Sequence, residues 1–423
     1  MSTTTASTAE ATRNPYRWVV LFACWASFTL TSIDRSTWGP ASVFVGESLA
    51  VPVASLGAFA TAYYIGYVIS NALGGIGTDR FGGRIMLSIS LLGAGAFMTL
   101  FGSTDSAALG IAVQALVGLF AGADYSAGIR LITSWFKPSE LGLPMGIFTT
   151  ATSLGTAIAN AVVPALIAWH GWETSYHLFG VISMVLAVLL FFLLRPGPML
   201  DSTTKRDQPA LRKPDFRALV RNRNLILTSL TGFCGFWGLY GFVVWANALM
   251  IKGYRIEPAT AGFVVAIFAI AAVVVKPAVG FAADRFLGGA RKVPTAIILG
   301  IFALTLVAFG NLGSATAFLW LAPVLGAAAY GWTPLVVALV PRLVPAAVTG
   351  SASGFANATW QLGSVIVPVA VGAVFAATNS FNAAFLTLAA GPLLGLLIML
   401  GVREPRSTRE TASQPTKGMA PER

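Results

Sequence analysis

The sequence predicts an all-α membrane protein with twelve transmembrane helices in two six-helix bundles, and three observations lead to this fold class. Hydrophobic residues make up 56% of the 423 residues and charged residues only 10%, a balance unsuited to a water-soluble surface. Apolar runs of about 20 residues, enough to cross a bilayer core of roughly 30 Å as helices, recur along the chain. The polar segment at 74–84 returns in similar form at 280–292, which indicates a duplicated unit.

Twelve apolar runs define the predicted spans. They cover residues 17–40, 52–76, 84–103, 107–135, 141–168, 173–194, 224–250, 260–283, 292–311, 315–340, 345–377 and 381–402. The first run is too long for a cleavable signal, so we expect it to stay in the membrane. The predicted domains are a tail at 1–16, a bundle at 17–194, a linker at 195–223, a bundle at 224–402 and a tail at 403–423.

The positions of the Lys and Arg residues give the topology. Of the 27 such residues, all but Arg35, Arg130, Lys252, Arg255 and Lys276 fall in segments that are cytoplasmic if the N-terminus is inside. This positive-inside pattern predicts a multi-pass protein of the cell (inner) membrane with both termini in the cytoplasm. The net charge of +11 is thereby explained without a nucleic-acid partner.

The linker carries eight Lys or Arg residues against three Asp. We interpret it as a solvated cytoplasmic connector, with contact to lipid head groups as the alternative. Cys24 and Cys234 lie within predicted helices and lack metal-ligand spacing, which indicates buried thiols. No cofactor is expected, and a monomer is the expected state.

Two pairs of segments support the duplication. "GGIGTDRFGGR" from Gly74 is matched by "GFAADRFLGGARK" from Gly280, and "GLPMGIFTTATSLG" from Gly142 by "GSASGFANATWQLG" from Gly350. Both matches occur in the same order and about half a chain apart. Parallel repeats of six helices, related by an axis along the membrane normal, form many secondary transporters.

The first of these segments resembles the signature of the major facilitator superfamily, G-x-x-x-D-R-x-G-x-R between the second and third helices. It is matched by Gly75, Asp79, Arg80, Gly82 and Arg84, and the degenerate second copy by Gly280, Asp284, Arg285 and Gly288. The resemblance implies the twelve-helix fold, with helix two against helix eleven and helix eight against helix five.

A carboxylate at the C-terminal end of a helix faces the negative end of the helix dipole and needs a positive partner nearby. We therefore interpret Asp79 and Asp284 as gating residues that latch the two halves together on the cytoplasmic side and release during transport. The alternative is that this loop only marks topology.

Helix four and its exit resemble the anion:cation symporter family of organic-anion carriers. The matching residues there and in helix one are Asp34, Arg35, Arg130, Trp135, Phe136, Pro138, Glu140, Gly142 and Gly146. That family often carries an arginine and then a glutamate seven residues later in helix four. Gln114 and Ala121 stand at those positions here, which puts the usual proton coupling in doubt.

Ionisable side chains at bilayer depth cost roughly 3 kcal/mol to insert and indicate functional sites. We expect Arg35 to clamp a substrate carboxylate, because its planar guanidinium can bind both oxygens at once. A structural pairing with a carboxylate is the alternative.

Four other charges lie within predicted spans. Asp34 and Asp124 are the candidates for proton coupling, with a fixed ion pair as the alternative for Asp124. Arg130 and Lys276 are further candidates for substrate binding. The alternatives are a position at the membrane interface for Arg130 and a bond to a buried carbonyl for Lys276.

Polar and aromatic residues in the predicted cavity-lining helices are expected to orient the substrate, although such residues more often pack or anchor at the interface. The selected set is Tyr64, Tyr67, Trp237, Tyr240, Asn357 and Gln361.

The sequence contains no catalytic motif and no ATP-binding motif. We therefore expect neither an enzyme nor an ATP-driven pump. The sequence predicts a secondary transporter that imports a small organic anion with protons. The alternatives are proton-coupled efflux of drugs or metabolites and a transport-inactive metabolite sensor.

Overall fold

The computed structural model describes residues 14–137, 140–198, 216–287, 289–345 and 348–404. In this part of the chain twelve helices are long and apolar enough to cross a membrane. They are α1 (Tyr16–Ser48), α2 (Gly57–Phe81), α3 (Gly83–Phe101), α4 (Ala107–Ala121 and Ala123–Trp135), α5 (Gly142–His170), α6 (Trp172–Leu193), α7 (Arg223–Ala248), α8 (Pro258–Phe286), α9 (Lys292–Gly310), α10 (Ala315–Leu339), α11 (Thr349–Thr378) and α12 (Phe381–Leu400).

The observed helices match the predicted spans in number and order, and they differ at some ends. α1 continues to Ser48 instead of ending at residue 40, because Pro40 is accommodated inside the helix. α7 is extended by a π-helical turn at Leu249–Gly253, and a short helix at Phe216–Arg221 precedes it. Most of the predicted linker and both predicted tails lie outside the described residues.

The two halves begin and end equivalent helices with the same local devices. Ser106 at the start of α4 and Ser314 at the start of α10 each accept a hydrogen bond from the backbone N–H three residues on. Gly82 between α2 and α3 has a φ of 84°, and Gly289 between α8 and α9 has a φ of 80°. A left-handed backbone at both tight reversals favours glycine.

The halves meet through α2 against α11, α5 against α8 and α1 against α7. The two pairings expected from the superfamily resemblance are thus confirmed. We name the ends of the molecule by the topology predicted from charge. The cytoplasmic end carries the α2–α3 and α8–α9 connections, and the outer end lies opposite.

The halves are in close contact at the outer end. A Cβ atom added at Gly57 of α2 would lie 2.1 Å from the carbonyl oxygen of Pro368 in α11, and one at Gly372 would lie 2.2 Å from that of Ala54. Glu47 of α1 also forms an ion pair with Lys252 beyond α7. These contacts close the outer side.

The cytoplasmic ends of the same helices are apart. A Cβ atom added at Gly75 of α2 or Gly354 of α11 would meet nothing within 4 Å, and the same holds for Gly146 of α5 and Gly280 of α8. The helices that touch at their outer ends therefore separate towards the cytoplasm. With the ends named from the charge pattern, this arrangement corresponds to an inward-open conformation.

Candidate functional site

Arg35 lies about halfway along α1, and its side chain is partly buried at the interface between the halves. Its guanidinium carbon is 5.4 Å from the ring centre of Tyr240 in α7 and 6.0 Å from that of Tyr67 in α2. Among the described residues Arg35 forms no ion pair. It is a cation held by aromatic rings, with its hydrogen-bond donors left for a ligand.

A small cavity of about 10 Å³ adjoins Arg35, roughly the space of one water-sized sphere. Its walls include Trp38, Tyr63 and Gln114. The Trp38 indole nitrogen and the Tyr63 hydroxyl have no hydrogen-bond partner in the described part of the chain. Gln114 stands where the anion:cation symporter family often carries an arginine in helix four. It lines the same cavity as Arg35.

Lys276 of α8 brings a second cation to the same region from the other half. Its ammonium nitrogen is 3.1 Å from the Ser153 hydroxyl and 3.4 Å from the Thr152 hydroxyl, both in α5. The same nitrogen lies 4.9 Å from the ring centre of Tyr330 in α10. Ser36, next to Arg35, is hydrogen-bonded at 2.9 Å to Thr156, one turn from Thr152 in α5. Lys276, like Arg35, forms no ion pair in the described residues.

Tyrosine rings pack against one another around Arg35. Tyr64 packs on Tyr240 across the halves with ring centres 5.4 Å apart, and Tyr63 stacks on Tyr67 at 6.0 Å. Their hydroxyls offer neutral donors and acceptors, and their faces offer apolar surface. The site therefore suits an anion that also carries hydroxyl or apolar groups.

Asp34 and Asp124 lie together inside the first half, away from Arg35. Asp124 accepts hydrogen bonds from Ser27 at 2.7 Å and Thr31 at 3.0 Å, both in α1. Asp34 is 3% exposed and lies near Ser183 of α6 and within electrostatic range of Asp124. Asp34 forms no ion pair in the described part of the chain. α1 thus presents Arg35 to the interface between the two halves and Asp34 to the interior of its own bundle.

The structure places Arg130 at the cytoplasmic end, in an ion pair with Asp79. Arg130 is therefore not part of the group around Arg35, which corrects its expected place among the substrate-binding residues. The stated alternative for Arg130, a position at the membrane interface, fits this placement, because the long side chain reaches the last turn of α2. Asp79 is bound within its own half and does not latch to the other half in this conformation.

The other signature residues also lie at the cytoplasmic end. Arg80 lies over the Phe81 ring at 5.4 Å, and Arg84 lies over Phe191 of α6 at 4.9 Å. Arg285 is exposed, whereas the side chain of Asp284 lies outside the described part of the structure, as does Gly288.

For three other candidates the contacts of the described residues do not include the tyrosines. The Trp237 indole donates a 2.8 Å hydrogen bond to the Thr387 carbonyl of α12, so it packs inside the second half. The Gln361 side chain accepts from Ser364 in its own helix at 3.3 Å. Asn357 is partly buried in α11.

The α5 hydroxyls that hold Lys276 were not among the predicted site residues. The Thr and Ser residues of "GIFTTATSLG" recur every three or four positions, which on a helix forms one polar stripe. That stripe was the available signal. It was missed because uncharged hydroxyls also bond readily to their own helix backbone.

A bundle of twelve spanning helices in two halves, with partly buried cations where the halves meet, is the architecture of many secondary membrane transporters. The chain belongs to the Major Facilitator Superfamily, whose family model matches at residues 24–368 and again at 247–421. It is therefore a transporter and not an enzyme.

Curated relatives extend over most of the chain. The chain is 24% identical to the "Probable galactarate/D-glucarate transporter GudP" of Bacillus subtilis, over 93% of each protein. It is 25% identical to the "Probable L-galactonate transporter" of Escherichia coli, over 88% of this chain and 87% of that protein. It is 28% identical to the "Probable nitrate/nitrite transporter NarK2" of Mycobacterium tuberculosis, over 81% of this chain and 85% of that protein.

Solved structures share the fold. An inward-facing, occupied bacterial homologue of the human lysosomal transporter Spinster superposes with a TM-score of 0.74 at 15% identity, covering 92% of this chain and 96% of that one. A D-xylose-proton symporter gives a TM-score of 0.73 at 16% identity, covering 92% and 98%.

Proposed function

We propose that this protein imports a small organic anion, a carboxylate, together with protons by alternating access across the cell membrane. The observation that carries the proposal is Arg35, a guanidinium without an ion-pair partner in the described residues, set among tyrosines where the two halves meet. A buried cation of this kind is costly unless a counter-charge joins it. A substrate carboxylate supplies that charge and accepts both N–H groups of the guanidinium fork.

The relatives support an anionic substrate. Galactarate, glucarate, galactonate and nitrate, named for these relatives, are all anions. The tyrosine hydroxyls of the site suit a polyhydroxylated chain such as a sugar acid, because each hydroxyl can donate and accept. Sugar acids are therefore the first substrates to test.

Asp34 supports coupling to protons. Asp34 is buried and forms no ion pair in the described residues, and an ionised carboxylate in such a place is costly. We infer that the pair of Asp34 and Asp124 binds and releases the coupled proton during transport. Because Asp34 and Arg35 are consecutive in α1, a shift of this helix affects proton binding and substrate binding together.

The test is binding of carboxylates to the detergent-purified protein, followed by transport in proteoliposomes. A ligand that binds the native state raises the unfolding temperature. We expect at least one sugar acid to do so, and an inward proton gradient to drive its accumulation. If organic anions neither bind nor accumulate, while a neutral sugar or an organic cation does, the proposal is wrong.

A further inference from the structure

We propose that the substrate is a dianion, with one anionic group held by Arg35 of the first half and the other by Lys276 of the second. This inference rests on the proposed function and names the charge class of the ligand at that site. Its starting point is the presence of two cations from opposite halves at one place in the interface: Ser36, next to Arg35, is hydrogen-bonded at 2.9 Å to Thr156, one turn from the Thr152 hydroxyl that contacts Lys276.

The charges of the described site do not balance. Neither Arg35 nor Lys276 lies within ion-pair distance of a described carboxylate, and the described ion pairs join other residues. Asp34 and Asp124 lie inside the first bundle, and Asp124 is bound by Ser27 and Thr31. Two like charges in one partly buried site repel each other, and a single negative charge would neutralise only one of them.

The donors of Lys276 are suited to one more partner. An ammonium group has three N–H donors, and two are directed to Thr152 and Ser153. The Tyr330 ring supports the group from a further side but accepts no strong hydrogen bond. One donor is thus left for a ligand, while the α5 hydroxyls fix the position of the ammonium.

The two cations suit different roles. Arg35 offers a planar fork for a bidentate carboxylate, whereas Lys276 is a point charge that tolerates several geometries. A dianion bound to both connects the two halves across the cleft. A monoanion engages only one half strongly, so it binds more weakly by about the strength of one charge-assisted hydrogen bond, or about tenfold.

The experiment uses pairs of probes that differ in one charge. They are galactarate with galactonate, glutarate with glutaramate, and isophthalate with 3-carbamoylbenzoate, and Kd is measured for wild type, Lys276→Gln, Lys276→Arg and Lys292→Gln. Lys292→Gln removes the same charge at the cytoplasmic start of α9 and serves as the matched control.

In at least one pair we expect the wild type to bind the dianion about tenfold more tightly than the monoanion. Lys276→Gln reduces this preference to about threefold or less, whereas Lys276→Arg and Lys292→Gln retain it. Retention by Lys276→Arg distinguishes a charge contact from a merely structural lysine.

Three results would overturn the inference: equal or tighter binding of the monoanion in every pair, an unchanged preference in Lys276→Gln, or no dianion bound at all. The proposed function is judged separately. Monocarboxylate binding that requires Arg35 would leave the proposed function in place while the dianion inference fails.

Discussion

Asn247 of α7 donates a 2.8 Å hydrogen bond to the side-chain oxygen of Asn160 in α5, across the interface between the two halves. Both side chains are fully buried. Further towards the outer surface, Lys252 pairs with Glu47. We call these two contacts the outer closure, and we expect them to separate when the protein opens to the outside.

A cross-link across the outer closure is expected to stop transport. Cysteines in place of Glu47 and Lys252, joined by a short cleavable cross-linker, would hold the protein in its inward-open conformation. Cys24 and Cys234 are buried and are not expected to react. Transport in proteoliposomes should be lost on cross-linking and restored on cleavage, with each single cysteine variant as a control. Full transport by the cross-linked protein would exclude the outer closure as a moving part.

Gly57→Ala is expected to favour outer opening. The added Cβ would lie 2.1 Å from the Pro368 carbonyl in the closed arrangement. Overpacking of this kind costs about 1–3 kcal/mol, so the outward-open population should rise about fivefold or more. The rate at which an impermeant maleimide labels Val244→Cys from outside measures this shift.

Gly75→Ala, in the same helix, is the matched control because its Cβ would meet nothing within 4 Å. It should not accelerate labelling. If Val244→Cys is labelled at the same rate with and without Gly57→Ala, the contact between Gly57 and Pro368 does not help to keep the outer side closed.

Asp79→Asn is expected to impair transport while substrate binding stays nearly intact. The Asp79 side chain is 73% exposed, so loss of its pair with Arg130 should change the free energy of unfolding by less than about 1 kcal/mol. We expect turnover to fall because Asp79, at the C-terminal end of α2, needs a positive partner when the cytoplasmic side is closed. Asn at this position cannot form that ion pair. Thermal unfolding and initial uptake rates measure the two quantities.

Glu140→Gln is the control for Asp79→Asn, since it removes another exposed ion pair, with Arg17, in the same half. We expect nearly normal uptake from this control. Wild-type turnover in Asp79→Asn would show that the α2–α3 loop is not a gate.

Sequence reasoning predicted the twelve spans, the duplication and the region of Arg35, because each depends on composition or on spacing along one helix. It did not predict that Asp34 faces Ser183 and Asp124 while Arg35 faces the cleft, since the rotation of α1 is set by its packing against other helices. The pairing of Arg130 with Asp79 was missed for a related reason. The reach of a long side chain between helices is not visible in either helix alone.

Replacement of the coupling carboxylates is expected to separate exchange from accumulation. Asp34→Asn or Asp124→Asn places a neutral amide where a proton must bind and leave, so uphill uptake driven by a proton gradient should be abolished. Exchange of labelled for unlabelled substrate needs no net proton movement and should persist. If both single variants still accumulate substrate, the coupling proton binds elsewhere.

The affinity of Arg35 variants for a carboxylate substrate tests the central claim most directly. Arg35→Lys keeps the charge but loses the planar fork, and should weaken binding about tenfold; Arg35→Ala should weaken it about a hundredfold. Arg403→Lys, at the exposed end of α12, controls for a general effect of the substitution. An uncharged amide analogue should bind poorly and hardly discriminate between wild type and Arg35→Ala. Carboxylate binding by Arg35→Ala that equals the wild type would contradict the account.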